Sequence, residues 1–185
     1  ADDGVRLWVD NSLIIDQWHD QAPIIHAATV SLATGNHHLK LEYYENMVGA
    51  TISLWWTSVP SASFKGTYYN SAPPLAPPDL TRTDANVNFT WGSGSPDPTI
   101  NSDQFSAIWV REETLSAGTY RFTVTVDDGV RLWVDNNLII NQWKNQPPTT
   151  YSADVALGAG SHYITMAYYE SLGGATAQLS WSLLP

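Results

Sequence analysis

The decapeptide DDGVRLWVDN occurs twice in the chain, at Asp2–Asn11 and again without a change at Asp127–Asn136. It begins a longer repeat, because residues 2–60 align with residues 127–185 without a gap at an offset of 127 − 2 = 125. About half of the aligned positions are identical. An ungapped match of this length repeats the loops as well as the strands, which is typical of tandem duplication.

The segment 61–126 occurs only once, so the chain reads as the C-terminal half of a repeat of about 125 residues (1–60) followed by a complete unit (61–185). Half a β-sandwich cannot bury its core face. The missing half can precede residue 1 in a longer array, come from a second chain, or be residues 64–126 serving both C-terminal halves in turn. Simple swapping leaves one C-terminal half unmatched, so we expect a tandem array.

Composition excludes several classes of partner and site. The net charge is −10 with a pI near 4.6, and such a surface repels nucleic acid and anionic membranes. The chain has no Cys, which rules out disulfides and thiolate metal sites. It also has no apolar run of about 18 residues, so no membrane span is predicted.

The nine Trp, nine Tyr and abundant Thr, Val and Ser predict an all-β protein. Nine segments of the complete unit have strand composition: Phe64–Tyr69, Val87–Trp91, Phe105–Leu115, Tyr120–Val126, Val130–Val134, Leu138–Ile140, Tyr151–Leu157, His162–Glu170 and Ala175–Leu184. The proline-rich segment Asn70–Thr83 is predicted to be a loop. Short strands at regular spacing indicate an antiparallel β-sandwich of jelly-roll type. Trp56 and Trp181, in the last strand of each copy, are expected in the core.

The Asp-Asp-Gly sequence allows two interpretations. As a structural turn, it uses one Asp to cap the backbone and a Gly with positive φ. The second Asp is explained less well, because adjacent carboxylates repel unless a cation or several N–H donors lie between them. Calcium needs six to eight oxygens, usually from more than one loop.

The natural second loop follows the Tyr-Tyr-Glu sequence of each copy, at Glu45–Ala50 and Glu170–Ala175. Asn46 in the first loop corresponds to Ser171 in the second. An Asn carbonyl is a better calcium ligand than a Ser hydroxyl. The first site is therefore predicted to bind calcium more tightly than the second. Glu170 or backbone carbonyls are alternative ligands in the second.

Trp18 and Trp143 lie in the polar segments DQWHDQ and NQWKNQ. Such a Trp can be a platform on which a sugar stacks, or a lid over one end of the sandwich; the lid is favoured because a buried Trp needs only one partner for its N–H. No Ser/His/Asp arrangement stands out. Glu112 and Glu113 are adjacent on a strand and point to opposite faces. The sequence therefore predicts a protein that is not an enzyme.

Four motifs in order, FKGTYYN, FSAIWVREETLSAGTYRFTVTVDDGVRLWVDNNLIINQW, GSHYITMAYYE and GGATAQLSW, resemble the protective-antigen-type (PA-fourteen) domain family. The resemblance covers one full unit and one C-terminal half. It implies a β-sandwich of roughly jelly-roll type. It also implies an extracellular module that is often carbohydrate-binding or adhesive.

In the flocculin branch of that family, two aspartates joined by a cis peptide bind calcium, and the calcium holds sugar hydroxyls. The resemblance implies metal ligands at Asp2, Asp3, Asn46, Asp127, Asp128 and Ser171, and a ligand contact at Asn46 beside the candidate platforms Trp18 and Trp143. Ser171 departs from the family pattern.

We therefore expect a non-catalytic, bacterial, extracellular or cell-surface module that binds carbohydrate through calcium. Its expected partners are a cell-surface glycan, and neighbouring repeats or a second chain that completes residues 1–60. The alternatives are a structural repeat (stalk, spacer or filament subunit) and an accessory domain of a secreted glycosidase.

Overall fold

The computed structural model describes residues 1–47, 49–72, 74 and 77–185. These described residues form thirteen β-strands and no helix. They belong to two compact units, Ala1–Trp56 and Thr57–Pro185. Within the described part of the chain, no helix is long and apolar enough to cross a membrane.

The first unit contains a three-stranded sheet of β1 (Gly4–Val9), β2 (Ser12–Gln17) and β3 (Leu39–Tyr44) in the order β2-β1-β3. The second unit contains β4 (Phe64–Tyr69), β5 (Leu80–Asp84), β6 (Asn88–Gly92), β7 (Phe105–Leu115), β8 (Gly118–Val126), β9 (Gly129–Val134), β10 (Asn137–Gln142), β11 (Thr149–Leu157), β12 (Gly160–Glu170) and β13 (Ala175–Leu183).

The second unit is a sandwich of two sheets. One has six strands in the order β10-β9-β12-β7-β4-β5, and the other has four in the order β11-β8-β13-β6. Their ladders are antiparallel. Side chains from both sheets, among them Trp109, Phe122 and Tyr168, form one buried core. The predicted all-β antiparallel sandwich is confirmed.

The prediction of a loop over Asn70–Thr83 is wrong at its end, because β5 begins at Leu80. The prolines precede this strand, and β5 pairs only with β4 at the edge of the sheet, where prolines nearby are tolerated. The buried carboxylate of Asp84 anchors the strand. It accepts hydrogen bonds from the Tyr68 hydroxyl (2.5 Å), Trp109 Nε1 (2.9 Å) and Arg82 Nε (2.7 Å).

The first unit forms fewer strands than its copy does. Residues 24–32 and 50–58 correspond to β11 and β13, yet neither segment contains a strand although each residue in it is described. In the second unit β11 pairs with β8, and β13 pairs with β8 and β6. Both partners come from the segment that occurs once. The strands of the first copy that do form, β1 to β3, pair with one another.

The expectation that both final tryptophans lie in the core is wrong for Trp56. Trp181 is partly buried against the core, with ring centroids 6.3 Å from Phe64 and 6.0 Å from Phe122. Trp56 is 77% exposed. The two rings that cover Trp181 both belong to residues 61–126, the segment that occurs once in the sequence.

The glycine of the repeated decapeptide is required for a reason other than the one predicted. The positive φ in the second turn (67°) belongs to Asp128, not to Gly129. A Cβ on Gly129 would lie 1.9 Å from Cε1 of Tyr169, and one on Gly4 would lie 1.9 Å from Cε1 of Tyr44. Glycine therefore allows the tyrosine ring to pack against the backbone of the turn.

We expect Gly129→Ala to lower the free energy of unfolding by about 1–3 kcal/mol, because the added methyl group must displace the Tyr169 ring. That ring is in edge contact with Trp143, so the intrinsic fluorescence should change as well. Urea denaturation followed by fluorescence measures both effects. Gly158→Ala is the matched control, since a Cβ there meets no atom within 4 Å. Equal stability of the two variants would contradict this explanation.

Candidate functional site

The carboxylate of Asp3 joins three segments of the first copy. Its Oδ1 accepts a hydrogen bond from the backbone N–H of Gln21 (2.8 Å), and its Oδ2 accepts one from the backbone N–H of Asn46 (2.9 Å). These N–H groups, Asn46 first and then Gln21, lower the pKa of Asp3. The Asp-Asp-Gly turn, the loop after β2 and the loop after β3 are therefore held together around an ionised side chain.

The second copy repeats this arrangement. Asp128 accepts hydrogen bonds from the backbone N–H groups of Gln146 (3.0 Å) and Ser171 (2.7 Å). The structure thus places Asn46 beside Asp3 and Ser171 beside Asp128. The first pair, Asp2 and Asp3, is joined by a cis peptide bond.

A third carboxylate completes the first cluster. One ligand oxygen from each of Asp2, Asp3 and Glu45 lies within 4.8 Å of the others. Oε1 of Glu45 is buried without a hydrogen-bond partner. The Tyr43 hydroxyl donates to the backbone oxygen of Asp2 (2.6 Å) and lies 3.3 Å from Oε2 of Glu45. Sequence reasoning did not name Glu45 as a ligand, although both copies carry this Glu as the first residue of the loop.

Glu170 is the corresponding residue of the second copy, and it is fully buried. Its Oε1 has no hydrogen-bond partner, while its Oε2 accepts a bond from the Tyr168 hydroxyl (3.0 Å). The pKa of Glu170 is raised to about 8, chiefly by burial and also by the charges of Asp128, Asp127 and Asp103, while the hydrogen bond from Tyr168 opposes the rise. Burial and the charge of Asp128 also raise the pKa of Asp127.

Asp103 is a member of the second cluster that the sequence did not indicate. It lies in the loop before β7, and its Oδ1 accepts a hydrogen bond from the backbone N–H of Gly173 (2.8 Å). Its charge acts on Glu170 together with those of Asp127 and Asp128. Because Asp103 belongs to the segment that occurs once, the first copy has no equivalent, and only a folded structure could associate it with the pair.

The two candidate stacking residues have the same surroundings in both copies. Trp18 is 40% exposed; the Tyr44 ring meets it edge-on at 4.8 Å, and Cζ of Arg6 lies 4.7 Å from its ring centroid. Trp143 is partly buried, with Tyr169 at 4.8 Å and Arg131 at 4.5 Å. One face of each indole is therefore covered by a guanidinium group.

Hydrogen bonds connect Tyr44, whose ring meets Trp18 edge-on, to the first carboxylate cluster. The Tyr44 hydroxyl donates to Oδ1 of Asp20 (2.8 Å), and Nδ2 of Asn46 donates to Oδ2 of the same carboxylate (2.8 Å). In the second copy Asn145 stands where the first has Asp20. It accepts from the Tyr169 hydroxyl (2.7 Å) and donates to Oγ of Ser171 (3.1 Å).

The first cluster suits a hard cation. Its carboxylate oxygens converge from a turn and from the end of β3, and Oε1 of Glu45 lacks any other partner. Among the described residues, the second copy has no equivalent set of three oxygens within 4.8 Å of one another, although Oε1 of Glu170 is likewise buried without a partner. Buried polar atoms are normally hydrogen-bonded, and calcium is bound by several oxygens of this kind.

We expect the stability of the metal-free protein to fall as pH rises, because the folded pKa of Glu170, about 8, lies above its ordinary value of 4.5. The stabilisation that comes from burying Glu170 in its protonated form is fully present below pH 4.5 and is lost as pH rises through about 8. Urea denaturation in chelator between pH 5 and pH 9 should show wild type losing on the order of 2 kcal/mol relative to Glu170→Gln.

The control for this pH series is Glu112→Gln, at a carboxyl seven residues along β7 from the end that faces Glu170. It should follow the wild-type pH curve. Parallel curves for wild type and Glu170→Gln would contradict the expected effect of burial and neighbouring charge.

Comparison with known proteins agrees with this fold. The model of the PA14 domain family matches residues 1–65 and 60–184. The anti-sigma-I factor RsgI3 of Acetivibrio thermocellus is 40% identical over 123 residues, which are 65% of this chain and 19% of that protein. The chain therefore spans about a fifth of the length of this relative.

Two solved structures are similar in fold. An anti-sigma factor domain-containing protein from Clostridium clariflavum superposes with a TM-score of 0.61 at 28% identity, over 99% of this chain and 72% of that one. A PA14 sugar-binding domain from an RTX adhesin superposes with a TM-score of 0.53 at 21% identity, over 66% of this chain and 90% of that one. Since the family model matches nearly every residue, the chain belongs to the PA14 domain family.

Proposed function

We propose that the chain is a non-catalytic carbohydrate-binding module that acts outside a bacterial cell and uses calcium held at the Asp-Asp turns. The observation that carries the proposal is the buried, unpartnered Oε1 of Glu45 and of Glu170 beside an Asp pair. A sugar-binding domain with the same fold supports the ligand class.

In the first copy, Asp2, Asp3 and Glu45 would hold the ion, and Asn46 lies beside them. In the second copy, Asp127, Asp128 and Glu170 would hold it, with Ser171 at the corresponding loop position. Bound calcium supplies coordination positions for neutral oxygens such as sugar hydroxyls. The partly exposed Trp18 offers an apolar surface near the first cluster.

The first site has the better arrangement of ligands. Its three carboxylate oxygens lie within 4.8 Å of one another, and Asn46 offers an amide oxygen where the second copy has Ser171. At the second site Asp103 adds a carboxylate, but the raised pKa of Glu170, about 8, keeps that side chain largely protonated near neutral pH. We propose that the first site is the tighter of the two, because calcium affinity rises with the number of charged oxygen ligands.

A second function is supported by the duplication itself. An ungapped duplication of the repeat suits a structural spacer. In a spacer, calcium would stiffen the turns and the chain would bind no sugar. This alternative predicts calcium binding without carbohydrate binding, so the two experiments below separate the possibilities.

We expect the wild-type chain to bind two calcium ions, with Kd values of about 10⁻⁴ to 10⁻³ M as in other extracellular modules. Calorimetric titration with calcium chloride should show the tighter ion lost in Glu45→Gln and the weaker ion lost in Glu170→Gln. Both variants keep the shape of the side chain. The control is Asp154→Asn, an exposed carboxylate paired with Arg121 on the outside of the sandwich. No calorimetric binding by wild type would exclude the metal site.

We expect binding to immobilised polysaccharides to require calcium and to weaken by about tenfold in Trp18→Ala, a loss of about 1.4 kcal/mol. The stoichiometry of calcium binding should stay unchanged in this variant. The matched variant is Trp143→Ala, which tests the same position in the second copy. A glycan array measured with calcium and with chelator gives the result. Calcium binding without any glycan signal would favour the spacer.

A further inference from the structure

The carboxylate of Asp20 fixes the orientation of the Asn46 side chain. Its Oδ2 accepts a hydrogen bond from Nδ2 of Asn46 (2.8 Å), and its Oδ1 accepts one from the Tyr44 hydroxyl (2.8 Å). An ionised carboxylate has no proton to donate, so the group of Asn46 that faces Asp20 must be the NH₂ group. Because the oxygen and the nitrogen of an amide share one carbon, this bond also fixes the direction of Oδ1 of Asn46.

Asn46 lies against the first carboxylate cluster, whereas Asp20 lies outside it. The backbone N–H of Asn46 donates to Oδ2 of Asp3 (2.9 Å). Among the described residues, the acids whose oxygens lie within 4.8 Å of one another are Asp2, Asp3 and Glu45. Any effect of Asp20 on this cluster therefore passes through Asn46 or through the charge of the carboxylate.

The second copy makes the same contact with the direction of the hydrogen bond reversed. Asn145 stands in place of Asp20, and Ser171 stands in place of Asn46. The Tyr169 hydroxyl donates to Oδ1 of Asn145 (2.7 Å), and the nitrogen of this amide donates to Oγ of Ser171 (3.1 Å). Asn46 is thus the donor in its pair, and Ser171 is the acceptor in the other.

We propose that Asp20 is a positioning residue for calcium at the first site: by holding the amide nitrogen of Asn46, it leaves the amide oxygen to serve as a ligand. This inference rests on the proposed calcium site. In Asp20→Asn, the new amide would accept from Tyr44 through its oxygen, as Asn145 does from Tyr169, and would present its nitrogen to Asn46. Two NH₂ groups cannot bond each other, so the Asn46 amide would turn its oxygen away from the cluster.

A double-mutant cycle tests this role, because it cancels the effect of the lost negative charge. Calcium affinity is measured by calorimetry in a parent chain that carries Glu170→Gln, which removes the second site, and in the same parent with Asp20→Asn, with Asn46→Ser and with both. Each single substitution should weaken binding about tenfold, the effect of about 1.4 kcal/mol. Once Asp20 is replaced, Asn46→Ser should weaken binding by less than about twofold, because the amide oxygen is already lost.

The number of water molecules on the bound ion gives a second readout. Tb³⁺ bound at the first site in place of calcium reports its coordinated waters through its luminescence decay rates in H₂O and D₂O. Asp20→Asn should add about one water, which takes the position that the amide oxygen of Asn46 leaves. Loss of charge alone would weaken binding without changing this number.

Asp16→Asn is the matched control. Asp16 is an exposed carboxylate of β2 that pairs with Arg6 (2.7 Å), and the second copy carries Asn141 at this position. The substitution removes one negative charge from the strand that precedes Asp20, so calcium affinity should stay within about twofold of the parent. Unchanged tryptophan fluorescence of metal-free Asp20→Asn, in which Tyr44 still meets Trp18, shows that the fold is kept.

Losses that multiply in the double variant would show that Asp20 and Asn46 act separately, and would overturn the inference. An unchanged number of waters in Asp20→Asn would overturn it as well. Either result, obtained with a parent that binds calcium, leaves the proposed function intact. Absence of calcium binding by the parent would also overturn the inference, and the proposed function fails with it only if wild type binds no calcium either.

Discussion

The pairing of β8 with two neighbours is the constraint on which the rest of the structure depends. Strand β8 forms hydrogen bonds with β11 on one edge and with β13 on the other, and its side chains Phe122 and Val124 are fully buried in the core. Backbone groups of a strand must be satisfied by a partner strand. Where the sequence of β11 and β13 recurs without β8, at residues 24–32 and 50–58, it forms no strand.

The candidate site does not share this dependence, because each cluster is built mainly from local connections. In the first copy, Asp3 receives its hydrogen bonds from Gln21 and Asn46, and all three residues flank β1, β2 or β3. These strands pair with one another inside the C-terminal half. The carboxylates of the first copy therefore converge although residues 24–32 and 50–58 form no strand, and Glu45 carries a buried oxygen without a partner.

The sequence predicted the features that depend on local pattern and failed where distant segments decide. Alternating apolar residues and the turn sequences located most strands of the complete unit. The start of β5 was missed because the prolines before Leu80 suggested a loop, whereas the strand is fixed by Asp84 bonding to Tyr68 and Trp109. Trp56 was expected in the core because it lies in the last strand segment of its copy, yet that segment forms no strand. Asp103 has no sequence signal of its own, since only folding brings it to the Asp pair.

The two copies differ in two features that act on metal affinity in opposite directions. The three converging oxygens of Asp2, Asp3 and Glu45, with Asn46 beside them, favour the first copy. Asp103 adds a carboxylate only to the second copy, and added negative charge strengthens a calcium site. A calcium ion bound more tightly at the first copy would therefore show that the arrangement of the ligands outweighs the number of carboxylates around them.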